Sequence, residues 1–492
     1  MNRNQRQPSL KLNAVLNSIC AVMSIIFPLI TYPYVTRLLQ AENLGKVNFA
    51  SSTIGYFSLI AGLGITQYAS REGVQYRDNQ KKLNQFGSEL FSLSLLTTIS
   101  SLLLLGISVL LVPKLGSYKY LLVIYSTTIA MSPFEVGWLY RLEEDYLYIT
   151  VKSIIIQCIS LALLFILVRS PEDYYKYAAL NAFANVGANV FNFAYSKKYI
   201  TLNIGKNIKN SLRHLKKSIV FFSSSIASSI YSNIDITMLG FLSTDYNIGI
   251  YSASVKLYGM IKTILAAIIS VMTPRLTFFK SHDMEEEFNR LISKIFKIMI
   301  TLLLPTVVGL ILVAHETVVI LCGNSYEEAS TSLRILSCAI FFAMLGGTIN
   351  GCVLIPSKLE KKVLCTTVSA ALVNLTLNFI AIPLFQQNGV AATTVLAEMT
   401  VLMVGWHYAK NLIKLESLKN TIITSTIGCI IMICISICVD LLFDKAILLL
   451  VIKVPLCAIC YGICLILLKN EIAVEYSRWL IDSVKSLQRR MK

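Results

Sequence analysis

The sequence predicts an all-α integral membrane protein with fourteen transmembrane helices and both termini on the cytoplasmic side. Three observations lead to this fold class: an apolar composition, a regular series of long apolar stretches, and an uneven distribution of Lys and Arg. Of the 492 residues, 55% are apolar and 14% are charged, against roughly 25% charged in soluble proteins, and the mean hydropathy is +0.65. This composition excludes a soluble enzyme, a disordered chain and a secreted disulfide scaffold.

Apolar stretches follow one another along the whole chain, separated by short polar breaks. Most are long enough to cross the hydrocarbon layer as a helix, which takes about 20 residues. No cleavable signal peptide is expected, because the first stretch is too long and no small-residue cleavage site follows it. The fourteen predicted spans are 13–35, 46–68, 87–112, 119–140, 148–168, 174–195, 217–241, 247–272, 292–314, 332–355, 363–384, 389–409, 420–441 and 446–468.

The net charge of +17 is explained by this topology. With a cytoplasmic N-terminus, the cytoplasmic segments and the helix ends beside them hold 32 of the 44 Lys and Arg residues, and the outside segments with the helix ends beside them hold 8. Such an excess is the positive-inside signal of membrane proteins. It predicts an even number of spans, and it makes a nucleic-acid partner unnecessary as an explanation of the charge.

Sequence patterns for enzymes and metal sites are absent or have a simpler explanation. Cys457, Cys460 and Cys464 have a spacing that can hold a metal, but they lie inside an apolar span and are interpreted as small packing residues. The four histidines are scattered without ligand spacing, and no nucleotide or hydrolase motif is found. No enzyme activity, metal or cofactor is expected.

Asparagines recur at helical spacing inside two spans, where polar groups are costly. Asn181, Asn185, Asn189 and Asn192 share one face of span 6, and Asn374 and Asn378 repeat the pattern in span 11. Two interpretations stay open. The asparagines line a polar cavity, or they hydrogen-bond neighbouring helices as packing residues.

Charged residues within the spans or at their ends are fewer. A cavity that holds Lys and Arg suits an anionic substrate, above all a phosphate or pyrophosphate. The alternative is buried ion pairing, for example between Asp235 and Lys256. Lys453 is expected to snorkel to the outer interface. The residues concerned are Lys256, Lys262 and Arg275 on span 8, Glu135 on span 4, Asp235 on span 7, Glu398 on span 12 and Lys453 on span 14.

The chain also contains an internal repeat. Residues 35–57 and 235–259 both run from the end of an apolar helix through a short outside turn to Leu-Gly or Ile-Gly, and Gly45 and Gly249 are 204 residues apart. Because six spans precede residue 217, the repeat predicts two six-helix lobes of the same orientation. The expected organisation is an N-terminal lobe at 1–200, a second lobe at 201–415, and two further spans with a basic tail at 416–492.

Four stretches give the sequence a specific resemblance to a known family. In order and spacing they resemble the Wzx-type polysaccharide (oligosaccharide) flippases of the multidrug/oligosaccharidyl-lipid/polysaccharide exporter superfamily, over nearly the full chain. The stretches are YPYVTRLLQAENLGKVNFASS at 32–52, IDITMLGFLSTDYNIGIYSASVKL at 234–257, LRILSCAIFFAMLGGTINGCVLIPSKLEKK at 333–362 and NLTLNFIAIPLFQQNGVAATTVLAE at 374–398.

This resemblance implies an alternating-access transporter that moves undecaprenyl-pyrophosphate-linked oligosaccharide across the bacterial plasma membrane, for O-antigen or capsule synthesis. Its implied partners are that lipid, the bilayer, and the polymerase and other glycan-assembly proteins. Arg37 matches the family's arginine before the first turn, although an anchor at the outer interface would explain it as well. Arg71 lies at the inner end of span 2, and the family's cavity-lining cations on span 8 correspond to Lys256 or Lys262.

The sequence leaves three points open: the coupling ion, the alternative functions and the sugar of the substrate. Asp235 or Glu398 could couple transport to H⁺ or Na⁺, since buried carboxylates change protonation readily, and Glu135 is a further candidate. A multidrug or cation exporter of the same superfamily and a membrane polymerase or ligase of the same glycan pathway are the alternative functions. The sugar of the substrate cannot be read from the sequence.

Overall fold

The computed structural model describes residues 10–202, 208–443, 446–478 and 482, and all the regular secondary structure in these ranges is helical. The α-helices are α1 Leu10–Gly62, α2 Ile65–Glu72, α3 Gln80–Leu111, α4 Pro113–Gly116, α5 Lys119–Ala130, α6 Gly137–Leu142, α7 Tyr146–Leu167, α8 Tyr174–Ser196, α9 Ile208–Ser211, α10 Leu215–Leu242, α11 Asp245–Ser281, α12 Glu285–Leu312, α13 Ala314–Cys322, α14 Ala329–Ile349, α15 Glu360–Ala409, α16 Lys419–Leu442 and α17 Ala446–Leu467. A short helical segment at 471–478 follows α17.

Nine helical stretches within the described residues are long and apolar enough to cross a membrane. They make the chain a multi-pass membrane protein. Their bounds are Ile26–Tyr76, Gln80–Leu111, Tyr146–Leu167, Asp245–Ser281, Glu285–Leu312, Ala329–Leu354, Glu360–Ala409, Lys419–Leu442 and Ala446–Leu467.

Two of these stretches, Ile26–Tyr76 and Glu360–Ala409, have 51 and 50 residues. At 1.5 Å per residue each is roughly 75 Å long, more than twice the thickness of the hydrocarbon layer. The first stretch also turns at Leu63 (φ 41°) and Gly64 (φ 67°), between α1 and α2. Within α1 and within α15 a single residue has non-helical backbone angles, Gln40 (φ 61°, ψ 172°) and Gln386 (φ 50°, ψ −128°) respectively. Both residues lie in predicted breaks between spans, so each long helix consists of two helical halves joined at a sharp bend.

The predicted span 119–140 is wrong as a single helix. Helix α5 ends at Ala130, a 3₁₀ turn follows at Ser132–Phe134, and α6 begins at Gly137. Pro133 lies in the turn, where its missing N–H and fixed φ prevent the α-helix from continuing. The predicted spans 174–195 and 217–241 are continuous helices, α8 and α10, although their Asn and Ser content keeps them out of the apolar set.

The chain divides into two compact units, Met1–Gly249 and Ile250–Lys492. An apolar core in the first unit joins α2, α3 and α6 through residues such as Tyr68, Phe86 and Trp138. In the second unit Cys429 and Cys457 pack with Met432, Tyr461 and Leu465 between α16 and α17. The packing interpretation is confirmed for Cys457, and Cys429 packs in the same way.

Candidate functional site

The second unit contains a buried ion pair between two of the residues singled out in the sequence. The Lys262 Nζ on α11 donates to the Glu398 Oε1 on α15 at 2.7 Å, and the Tyr258 hydroxyl donates to the same oxygen at 3.1 Å. Glu398 is only 4% exposed. Because a carboxylate in such surroundings needs charged or hydrogen-bonding partners, Lys262 and Tyr258 stabilise it. Of the two interpretations of the charged residues, an anion-binding cavity and buried ion pairing, the second therefore applies to Lys262, whose partner is Glu398.

Lys256 and Arg275 lie on the same helix but are exposed. Six residues separate Lys256 from Lys262, which is about 240° around a helix of 3.6 residues per turn, so the two lysines point to different faces. Neither Lys256 nor Arg275 pairs with a carboxylate in the described part of the chain, and the Arg275 guanidinium lies 5.6 Å from the centre of the Phe279 ring. These two side chains retain charge that a substrate anion could use.

In the first unit Arg37 and Arg71 are both exposed. Arg37 lies on α1, one turn before the bend at Gln40. Arg71 lies in the last turn of the separate helix α2, and within the described residues it forms no ion pair with a carboxylate. The helix C-terminus around Arg71 also favours a positive charge.

Three asparagines of the α8 stripe contact neighbouring elements. The Asn181 amide donates to the Tyr125 hydroxyl on α5 at 3.2 Å, the Asn189 amide donates to the Met131 carbonyl at 3.3 Å, and the Asn192 Oδ1 accepts from the Lys152 Nζ on α7 at 3.0 Å. Asn185 is exposed. Interhelical hydrogen bonding thus accounts for most of the stripe, and a cavity-lining role remains a prediction.

The asparagines of span 11 are buried in the second unit. The Asn378 amide donates to the Asn374 Oδ1 at 3.1 Å, and the Asn378 Oδ1 accepts from the Thr393 hydroxyl. Thr393 lies beyond the bend at Gln386. The pair therefore joins the two halves of α15 to each other.

The remaining carboxylates of the predicted site lie in the first unit. Asp235, on α10, is 9% exposed. Glu135 is exposed and follows the 3₁₀ turn that interrupts the predicted fourth span.

An apolar cavity of about 1020 Å³, partly open to the surface at exposed lining residues such as Val271 and Val454, was not predicted from the sequence. It lies within the second unit, between α11, α12, α16, α17 and the segment 471–478, and most of its lining is aliphatic or aromatic. Its lining extends along α12 from Ile298 to Val313, roughly 22 Å of helix. Sequence carries no signal for it, because its residues are indistinguishable from those that face lipid.

Lys453 lies at one end of this cavity and corrects a prediction. It does not snorkel to the interface. Its side chain is 2% exposed, and its Nζ lies 3.2 Å from the Glu316 Oε1 and 2.5 Å from the Asp440 Oδ1. The two carboxylates come from α13 and α16, so the ion pairs hold three helices together.

A second buried charged cluster that the sequence did not reveal lies in the first unit. The carboxylate of Glu89 is fully buried, and its Oε2 lies 2.7 Å from the His214 Nε2 and 2.6 Å from the Arg213 Nη2. The His214 Nδ1 lies 2.7 Å from the Tyr68 hydroxyl. Since the carboxylate only accepts, Nε2 carries the proton and Tyr68 donates to Nδ1.

Both the sequence and the fold of this chain are similar to those of known proteins. Over 421 residues the chain is 24% identical to the "Putative O-antigen transporter" of Escherichia coli (strain K12), covering 83% of this chain and 98% of that protein. Among solved structures, the lipid II flippase MurJ in an inward closed conformation superposes with a TM-score of 0.75 at 16% identity, covering 93% of this chain and 100% of that chain.

An inward-facing multidrug resistance MATE family transporter of the MOP superfamily superposes with a TM-score of 0.57 at 14% identity, covering 81% of this chain and 97% of that one. At these identities the two structures establish the fold alone. The sequence itself carries the family: residues 10–280 match the family described as "Polysaccharide biosynthesis protein", which is more than half of the chain. This protein therefore belongs to the polysaccharide biosynthesis protein family.

Proposed function

We propose that this protein flips an undecaprenyl-pyrophosphate-linked oligosaccharide across the bacterial plasma membrane by alternating access, and that it is a transporter and not an enzyme. The family and the name of the Escherichia coli relative support a surface-glycan substrate. The observation that most directly supports a lipid-linked substrate is the apolar cavity of about 1020 Å³ in the second unit. A polyprenyl chain needs an apolar path of this kind, because burying its methylene and methyl groups is favourable.

The proposed topology has fourteen membrane crossings with both termini in the cytoplasm. The nine apolar stretches supply eleven crossings if the two bent ones cross twice, and α5–α6, α8 and α10 supply three more. The excess of Lys and Arg in alternate breaks supports this orientation. We retain the proposed lobes at 1–200 and 201–415, followed by the two extra spans and basic tail at 416–492.

The pyrophosphate is proposed to bind exposed cations. Arg71, Lys256 and Arg275 suit this role best, because they form no ion pair with a carboxylate in the described residues and because guanidinium and ammonium groups bind phosphate strongly. Arg37 is a further candidate. Lys262 would first have to leave Glu398, so its proposed contact with the substrate is limited to one state of the transport cycle.

Coupling to H⁺ or Na⁺ is proposed to involve Asp235 or Glu398, with Glu135 as a third candidate. Asp235 and Glu398 are buried, and a buried carboxylate changes its protonation when its surroundings change. Asp235→Asn and Glu398→Gln variants that transport with the pH and Na⁺ dependence of the parent would exclude both residues.

Deleting the gene tests the proposed function. Lipid-linked repeat units should accumulate in the cytoplasmic leaflet, and the plasmid-borne gene should restore their transfer to the outside. A Lys256→Gln variant should restore less than a matched Lys419→Gln variant, since Lys419 is an exposed lysine outside the proposed site. Normal transfer in the deletion strain, without a second flippase, would refute the proposal.

The two alternative functions have their own tests. Export of a cationic dye would favour the multidrug alternative, and glycan joining by the purified protein would favour a polymerase.

The partners are proposed on the same basis. The oligosaccharide lipid and the surrounding phospholipid follow from the transported substrate. The glycan polymerase and the other assembly proteins would act on the product at the outer leaflet.

A further inference from the structure

The helical segment that follows α17 is fixed at its first residue. Lys469 has a left-handed backbone (φ 54°) that turns the chain, and Asn470 is fully buried. The Asn470 amide donates to the Thr424 hydroxyl of α16 at 2.7 Å, while its Oδ1 accepts from the backbone N–H groups of Ile472 and Ala473 at 3.1 and 3.2 Å. Asn470 thus caps the segment and anchors its beginning.

Beyond this anchor two ion pairs join the segment to α12, besides the apolar packing of Ile472 and Ala473. The Glu471 Oε2 accepts from the Lys297 Nζ of α12 at 2.7 Å, and Glu475 pairs with Lys294 one turn earlier on α12. Lys297 also binds Glu416, in the connection between α15 and α16, at 2.8 Å. The Lys294–Glu475 pair is exposed, at 42% and 57% for the two side chains, and exposed ion pairs contribute little, typically 0–1 kcal/mol each. In the second pair Glu471 is 58% exposed but Lys297 is only 9% exposed, so that lysine depends on keeping Glu416 when Glu471 leaves.

The same segment lines the end of the apolar cavity. Ile298 is the lining residue of α12 nearest that helix's N-terminus, and Leu465 is the corresponding residue of α17 nearest its C-terminus. Ile472, Ala473 and Tyr476 continue the lining past Leu465. Ile298 directly follows Lys297, so the ion pairs lie beside the cavity wall that the segment completes.

We propose that residues 471–478 form a strap that closes this end of the apolar cavity and opens, about its anchor at Asn470, to admit the hydrocarbon chain of the lipid substrate. The proposal rests on the proposed function for the occupant of the cavity. In the proposed topology the strap lies on the cytoplasmic side, where the substrate is loaded. Opening breaks the exposed Lys294–Glu475 pair, takes Glu471 from Lys297, which keeps Glu416 as its partner, and exposes one buried apolar side chain, Ile472, while the anchor at Asn470 stays in place.

The first experiment measures opening alone and uses no lipid substrate. Ala473→Cys is introduced into the full-length protein in nanodiscs, and its reaction with a water-soluble maleimide is followed above the background of the parent chain. Lys294→Glu replaces attraction to Glu475 by repulsion, so the labelling rate at position 473 should rise roughly fivefold. The exchanged pair Lys294→Glu/Glu475→Lys should return the rate to the parental value. Equal labelling in the single variant and the parent would overturn the strap.

The second experiment asks whether the strap controls entry into the cavity. A diazirine-bearing polyprenyl phosphate is added to the protein, and cross-linking to cavity peptides is measured over time. In the Lys294→Cys/Glu475→Cys variant, joining the two introduced cysteines with a short bismaleimide should slow photo-cross-linking of the probe roughly tenfold. Variants that carry only one of the two introduced cysteines, treated with the same reagent, should behave as the parent. Unchanged cross-linking in the joined protein would overturn the strap as a gate.

The two experiments separate failure of the strap from failure of the proposed function. If the probe reaches the cavity in the parent and the strap-joined variant excludes it, both are supported. If position 473 opens on charge reversal while the probe labels the cavity in no variant, the lipid assignment of the cavity is wrong and with it the strap's role in loading. Transport by the parent in the deletion strain then decides the proposed function independently.

Discussion

Gly45 and Gly249 each pack against the backbone of the turn that contains the other. A Cβ added to Gly45 would lie 1.8 Å from the Asp245 carbonyl oxygen, and one added to Gly249 would lie 1.9 Å from the Ala41 carbonyl oxygen. Ala41 and Asp245 are 204 residues apart, as are the two glycines. Ala41 and Gly45 in the first copy of the repeat therefore correspond to Asp245 and Gly249 in the second, and within the first unit each glycine contacts the carbonyl group of the other copy. Only glycine allows two helix starts to approach this closely.

Replacing either glycine by alanine should destabilise the protein. The obstructing atoms are backbone carbonyl oxygens, which move only if a whole helix end moves, so Gly45→Ala or Gly249→Ala should cost at least about 1–3 kcal/mol of the free energy of unfolding. Thermal unfolding of the detergent-solubilised protein measures the change.

The repeat supplies its own controls for this prediction. Gly55 and Gly259 are also 204 residues apart, and a Cβ added to either meets no atom within 4 Å. Alanine at these two positions should be neutral or slightly stabilising, since glycine is a poor residue inside a helix. Equal losses at all four positions would mean that the close contact does not determine the effect.

Lys262→Gln should destabilise the second unit because it leaves the Glu398 carboxylate buried without its cation. Breaking a fully buried pair costs about 3–5 kcal/mol. The Lys262 side chain is 32% exposed, so we expect a smaller loss, about 2 kcal/mol, measured by thermal unfolding. Adding Glu398→Gln to the same chain should recover most of it.

Lys256→Gln is the matched control on the same helix. Lys256 is exposed and forms no ion pair with a carboxylate in the described residues, so the substitution should leave the unfolding temperature unchanged while it lowers transfer of the lipid-linked substrate. A loss of stability equal to that of Lys262→Gln would contradict the assignment of different roles to the two lysines.

Features set by the thickness of the membrane could be predicted from the sequence. The bends at Gln40 and Gln386 lie in predicted breaks because an apolar run longer than the hydrocarbon layer must turn. The six-residue spacing of Lys256 and Lys262 also places them on different faces of a helix, although the two were predicted as interchangeable cavity cations. It could not name Glu398 as the partner of Lys262, since that contact joins residues 136 positions apart and depends on how α11 packs on α15.

Lys453 shows the same limit in a prediction that was wrong. Its position near the start of an apolar helix favours snorkelling, and nothing local indicates otherwise. Its partners Glu316 and Asp440 belong to α13 and α16, and only tertiary packing brings them together. The apolar cavity escaped prediction for the same reason, because a void between helices leaves no pattern along any one of them.

Lys453→Met should therefore be among the most destabilising single substitutions in the second unit. Methionine fits the apolar surroundings but leaves Glu316, itself 7% exposed, without its cation, at a cost of about 3–5 kcal/mol. The double variant Lys453→Met/Glu316→Gln removes the buried charge and should be clearly more stable than the single one. A single variant with the parental unfolding temperature would show that Lys453 reaches water after all.

The stability of the first unit should fall at mildly acidic pH because of His214, which lies outside the membrane spans. Burial lowers the pKa of His214 below the ordinary value of 6.5, and the charges of Arg213 and Lys217 act in the same direction against the opposing hydrogen bond to Glu89. A histidine with a lowered pKa binds fewer protons in the folded state than in the unfolded one. Its contribution to the free energy of unfolding is therefore complete above pH 6.5 and is lost as the pH falls through the folded pKa.

The unfolding temperature should thus decline below pH 6.5. The decline should be less steep in His214→Gln, whose neutral amide can donate to Glu89 and accept from Tyr68. His282→Gln, at an exposed histidine, should keep the parental slope, and a parental slope in His214→Gln as well would assign the acid sensitivity to other groups.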